Sequence, residues 1–124
     1  MKDMFRIYDN DLITNKHFPV KALFNMVSDD RFKNVIRSMS NNHGFAENYG
    51  ACLFWNDLDD YDKENNLFYN GAEFGLHDGE EVILDYKEIL YYMKLVCKRY
   101  CVEHPEDCNE LMECIQSFID NNSL

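Results

Sequence analysis

Val20, Leu23, Phe24 and Val27 recur at the three- and four-residue spacing of a helix face, and Pro19 just before them suits a first helical turn. Ser28-Asp29-Asp30 ends that helix and caps a second, in which Phe32, Val35, Ile36 and Met39 form the next apolar stripe. Residues 1–18 carry no comparable pattern: Phe5 to Tyr8 fits a short strand or a helix start, and Asn10-Asp11 and Asn15-Lys16 read as turns. Ser40 to Gly44 is turn chemistry, and Gly50 to Trp55 is short, apolar and aromatic, which predicts a strand. Asn56 to Asn66 is too charged to pack and predicts an exposed loop between strands.

From Leu67 to Leu76 apolar and polar positions alternate, placing Phe68, Asn70, Ala72, Phe74 and Leu76 on one face; Asn70-Gly71 also fits a hairpin turn, but alternation continuing through it favours one strand with a bulge or bend at Gly71. Asp78-Gly79 tolerates the positive φ angles of a tight hairpin, so Glu81 to Asp85 pairs back against residues 72–76. Asp85 and Glu88 have capping-box spacing, and Ile89, Met93, Val96, Cys97 and Tyr100 give the following helix an inward stripe. Pro105 stops that helix and opens a last one, with Leu111, Ile115, Phe118 and Ile119 facing inward. The expected fold is α+β: a small antiparallel meander of about three strands packed against about four helices, in a single domain over residues 1–124.

Composition adds a strong asymmetry. The chain has 124 residues and a net charge of −11, and residues 51–88 hold 11 acidic side chains against Lys63 and Lys87. Residues 1–50 balance at +1 and residues 89–124 at −3, so the negative field belongs to the middle of the chain. Such a field repels phosphates and attracts basic proteins, which argues against direct nucleic-acid binding. A hydrophobic share of 46 % sets the chain apart from disordered polyelectrolytes. The N-terminus has an acid at position 3 and no apolar run of signal-peptide length, and no stretch approaches a membrane span; a cytoplasmic protein without membrane contact is expected. Five cysteines, four of them on predicted helices, suit reduced, partly buried thiols.

Catalytic and metal patterns fail when tested. From Asp57, the sixth position of a calcium loop falls on Asp62 where glycine belongs, and from Asp60 the twelfth falls on Gly71. Cys97, Cys101, His104 and Cys108 have zinc-ligand chemistry without the spacing of a common knuckle. No cysteine has a histidine neighbour with an orienting partner, and His17, His43, His77 and His104 read as solvated loop or helix-end residues. A pair such as Glu73 and Asp85 on neighbouring strands has acid/base chemistry, but paired surface acids are ordinary. The expectation is no enzyme, no cofactor and no metal.

What remains is a partner-binding surface of acids and rings: Asp57, Asp59, Asp60, Tyr61, Asp62, Glu64, Tyr69, Glu73, Asp78, Glu80 and Glu81. Tyr61, inside the charged loop, is the best anchor, whereas Phe68 and Phe74 read as core. Taken together, FPVKALFN at 18–25, NVIRSMSNNHGF at 34–45, FYNGAEFGL at 68–76 and EEVILDYKEILYYMKLVCKRYCVEHPED at 80–107 resemble the ribonuclease-toxin immunity proteins of bacterial contact-dependent growth inhibition systems. The resemblance runs from about Phe18 to about Ile119, and its most specific parts are Gly-x-x-Phe at 71–74 and Tyr-x-x-x-His-Pro at 100–105. It implies a cytoplasmic, non-catalytic protein that binds and blocks the nuclease domain of a toxin delivered by a neighbouring cell; the charge adds the expectation that the cognate domain is basic, and a monomer in a 1:1 complex is expected. The alternative is an acidic adaptor or nucleic-acid mimic acting on a basic host protein.

Overall fold

A computed structural model describes residues 5–124. Residues 1–4, on which part of the N-terminal charge argument rests, lie outside it. In chain order the elements are α1 (Phe18–Met26), α2 (Asp29–Ser40), β1 (Phe45–Glu47), β2 (Gly50–Phe54), α3 (Asp60–Glu64), β3 (Gly71–Leu76), β4 (Glu81–Asp85), α4 (Tyr86–Glu103) and α5 (Cys108–Asn121), with single 3-10 turns between several of them. The strands form one antiparallel sheet in the order β1-β2-β3-β4, so the fold is an α+β meander with one strand and one short helix more than the sequence pattern suggested.

The sheet register explains the core. Phe45, Cys52, Phe74 and Val82 stand in one cross-strand row, and Phe54, Ala72 and Leu84 in another. Because side chains alternate along a strand, both rows point to the same face. That face is buried against α1 and α4, while α5 packs on α2 and α4. Phe24 of α1 meets Phe45 and Phe74 with ring centroids 5.8 and 6.2 Å apart, and Tyr86 at the start of α4 touches Phe118 of α5 at 6.0 Å. Burying a ring of this size contributes about 2–3 kcal/mol, which is why these rows fix the fold.

Two glycines allow the meander to close. Gly79 takes φ 99° in the β3–β4 turn at Asp78-Gly79, as that dipeptide predicts. At Gly71 an added Cβ would lie 1.9 Å from the carbonyl oxygen of Leu84, so β3 starts where only glycine fits against β4. The strand expected from Leu67 therefore begins four residues later, at Gly71, and Leu67 to Asn70 are free of its alternation. Asp85 caps α4 as expected: its carboxylate accepts from Glu88 N–H at 2.8 Å, and Glu88 accepts from Asp85 N–H at 3.0 Å. The loop expected over Asn56 to Asn66 instead holds a turn at Trp55–Asp57 and then α3.

Phe5 to Tyr8 forms neither the strand nor the helix considered for it, because backbone groups there find side-chain partners, and 3-10 turns follow at Asp9–Asp11 and Asn15–His17, where turns were expected. Asn25 accepts from Arg6 N–H (2.8 Å) and Ile7 N–H (3.0 Å) and donates to Ile7 O (2.9 Å), imitating a strand neighbour. Arg99 grips the same segment through Asp11, at 2.6 and 3.0 Å. His17, expected in solvent, is buried, and its Nδ1 lies 2.8 Å from the Tyr92 hydroxyl, which also accepts from Ile13 N–H at 2.9 Å. The second nitrogen of that ring, Nε2, faces Glu88 at 3.6 Å.

Burial holds the His17 pKa below its ordinary value, and Glu88 and Asp85 offset this only in part. The unfolded chain therefore binds a proton more readily than the folded one, and stability falls as pH drops through the ordinary histidine range near about 6.5. Tyr92→Phe is expected to cost about 1–2 kcal/mol at neutral pH, since Ile13 N–H and His17 lose a shared partner. Urea unfolding at several pH values checks both statements, and an unfolding midpoint constant between about pH 7.5 and about pH 5.5 contradicts the first.

Candidate functional site

The acids of the middle segment divide into those that hold the backbone and those that face solvent. Asp57 belongs to the first group: its carboxylate accepts from Gly44 N–H (2.8 Å) and Phe54 N–H (2.8 Å) and meets His43 Nδ1 at 3.0 Å. It ties the end of β2 to the loop before β1, and its side chain keeps 19 % of its surface. Asp59 caps α3 by accepting from Asp62 N–H at 2.8 Å, while Asp78 accepts from Glu80 N–H at 2.9 Å in the hairpin turn. Three residues expected to meet a partner thus have local backbone duties as well.

Asp60, Asp62, Glu64 and Glu80 are exposed, and their carboxylates have no hydrogen-bond or ionic partner among the described residues. α3 has no apolar stripe; it stands because Asp59 caps one end and the Asn65 and Asn66 amides donate to Tyr61 O (2.8 Å) and Asp62 O (2.7 Å) at the other. The helix holds Tyr61 out with 72 % of its surface exposed, the position suggested for an anchor.

Next to α3 stands a ridge of rings. Trp55 meets Phe68 and Tyr69 edge-on at 5.1 and 5.3 Å. Phe68 is not core: it is 67 % exposed, because it precedes Gly71 and the strand phase that would have turned it inward does not reach it. Leu67, 92 % exposed, continues the ridge. Phe74, in contrast, is fully buried as expected. The Tyr69 hydroxyl donates to Leu53 O at 3.1 Å, and burial together with neighbouring Glu73 pushes its pKa up to about 12, so the ring stays neutral.

From Tyr69 the surface runs onto the outer face of the sheet. Leu53, Glu73 and Ile83 form one cross-strand row there, and Ala46, Ala51, Gly75 and Glu81 form the next. The second row is small except at its end, so the floor is low and flat, and Leu53 and Ile83 stand exposed above it. Glu73 lies beside Glu81, and partial burial plus that like charge raise its pKa. The acid pair considered between Glu73 and Asp85 is not formed: Asp85 stands opposite Gly71 and caps α4, and Glu81 is the neighbour instead. Leu53 and Ile83 were missed in sequence because each sits in an apolar run whose other members face the core. The signal was the run itself, which puts apolar side chains on both faces.

The cysteines of the Cys/His run come together, but His104 does not join them. Cys97, Cys101 and Cys108 line an apolar groove of about 340 Å³ between α4 and α5 with Leu111 and Ile115. His104 stacks on Tyr100 at 4.3 Å and lies 3.4 Å from Asp29 instead. Burial, then the neighbouring Cys108 thiol, pushes the Cys101 pKa up to about 12, so it is a poor nucleophile at neutral pH. Among the described residues one group has metal-ligand proximity, His104, Glu106 and Asp107, with atoms within 4.8 Å of each other. Asp107 already accepts from the Tyr100 hydroxyl at 2.9 Å and faces Lys33 at 3.2 Å, so a cation there would displace an existing one. Among the described residues, no helix is long and apolar enough to cross a membrane.

A protein-family model described as "CDI immunity protein" matches residues 15–115, most of the 124-residue chain. No curated protein sequence gives a significant match.

The division of the acids is directly measurable. Asp57→Ala is expected to destabilise by about 1–3 kcal/mol, because two partly covered N–H groups lose their acceptor. Asp60→Ala is expected to stay within about 0.5 kcal/mol of the parent. Chemical denaturation of the two variants checks this, and equal stabilities contradict the assignment of Asp57 to the backbone.

Proposed function

The chain belongs to the CDI immunity protein family, and from that premise we propose that it neutralises a ribonuclease toxin domain by covering it with an acidic, ring-bearing surface. The complex is 1:1, it forms in the cytoplasm, and no residue of this chain takes a catalytic role. One observation carries the reading: residues 51–88 concentrate 11 acids against two cations, and on α3 the carboxylates of Asp60, Asp62 and Glu64 face solvent with no cationic partner among the described residues, next in sequence to the exposed rings of Tyr61 and Phe68.

The physical logic is substrate replacement. An enzyme that cleaves RNA must gather phosphates in a cationic groove, and fixed carboxylates at similar density compete for the same cations. Long-range attraction speeds encounter, which matters for an inhibitor that must outrun a lethal enzyme. Charge alone is screened within about 8 Å at physiological salt, so lasting occupancy requires short-range burial of rings. The acids of α3 and the exposed rings next to them in sequence, Tyr61 and Phe68, offer both.

Co-expression with its cognate toxin domain is expected to yield a 1:1 complex with no nuclease activity. Replacing Asp60, Asp62 and Glu64 with their amides is expected to slow association by roughly 10-fold at low salt and to flatten its salt dependence, with little change in stability. Stopped-flow association over a salt series measures this. Association that is unchanged in rate and salt slope removes the electrostatic part of the proposal.

A further inference from the structure

Two exposed surfaces of this chain are apolar enough to dock a partner, and their charges differ. The groove between α4 and α5 is rimmed by Lys94 and Lys98, neither of which has an ionic partner among the described residues. A basic partner approaching it meets like charge. The outer face of the sheet has the opposite character: Leu53 and Ile83 stand on a floor of small residues, with Glu73 and Glu81 beside them and Phe68 and Tyr69 at one end.

We propose that the outer face of the sheet is where the toxin docks, and that it receives an arginine of the toxin between Glu73 and Glu81, with apolar toxin side chains on Leu53, Ile83 and Phe68. The inference rests on the immunity reading and names the surface that performs it. Charge complementarity selects the occupant. Glu73 is partly buried beside Glu81; burial, the repulsion of that like charge and a hydrogen bond between the two side chains raise its pKa, and no cationic side chain of this chain bonds either of them among the described residues. A guanidinium relieves that repulsion for both at once, since its fork spans two acceptors and its plane stacks on rings such as Tyr69. The low floor at Ala51 and Gly75 admits such a group without rearrangement of the backbone. Exposed acids on α3 then form the polar rim, and burial of Phe68, Leu53 and Ile83 supplies the short-range energy.

The test compares variants of the full chain against the cognate toxin domain by surface-immobilised binding, with thermal unfolding as a check on folding. Ile83→Lys puts a cation at the centre of the face on a half-exposed side chain, and binding is expected to weaken by roughly 30-fold or more. Phe68→Ala, at a residue without a core role, is expected to weaken it by roughly 10-fold and serves if Ile83→Lys is poorly folded. Glu73→Gln keeps the shape and removes the charge, with a similar expected loss, and Met112→Lys on α5 is expected to leave affinity within about 3-fold. If the parent chain binds tightly and the Ile83, Phe68 and Glu73 variants bind equally well, the docking face is wrong and the immunity reading stands. If the parent chain does not bind the toxin domain, that reading falls and this inference with it.

Discussion

A β-sheet has two faces, and the helices of this chain bury one of them. That constraint organises the molecule. The rows Phe45, Cys52, Phe74, Val82 and Phe54, Ala72, Leu84 supply the buried face, so register is strongly specified, since a slip of one residue would drive these side chains into water. The same register necessarily aligns Leu53, Glu73 and Ile83 on the other side. Core packing thus fixes the outer surface to the same precision, and the surface that the proposed function uses is a rigid by-product of the fold. Rigidity lowers the entropic cost of association, which favours an inhibitor that must bind tightly.

Charge is used in two ways along the middle of the chain. Asp57, Asp59, Asp78 and Asp85 accept from backbone N–H groups, and each would cost stability if removed. The carboxylates of Asp60, Asp62, Glu64 and Glu80 make no bond among the described residues and add self-repulsion, as does the like charge of Glu73 beside Glu81. An uncompensated cost of this kind is consistent with surfaces whose balance is restored by a partner. Membership of an immunity family gives that partner a class, a toxin, and the sign of the field gives its expected charge.

Features set by local geometry were legible in the sequence. The stripes of α1, α2, α4 and α5 depend on three- and four-residue spacing, the hairpin on Asp78-Gly79, and the α4 cap on Asp85 and Glu88; none of these needs a distant residue. Features set by distant partners were not. His17 is buried because Tyr92, 75 residues away, completes its hydrogen bonding, and residues 5–8 are placed by the Asn25 side chain. β1 spans three residues, too few to display alternation, and α3 is held by caps with no apolar stripe to betray it. Of the surface, the acids and Tyr61 were visible from composition, whereas Phe68 was misplaced by assuming a strand phase that Gly71 interrupts.

The central claim is that the face left open by the helices is the working face, and amide hydrogen exchange on the free chain and on its complex with the toxin domain addresses it without any substitution. The account predicts new protection across residues 60–69 and along β2, β3 and β4, with α4 and α5 exchanging as they do in the free chain. Protection confined to α4, α5 or the segment before α1, with the sheet and the ring ridge unchanged, would contradict it.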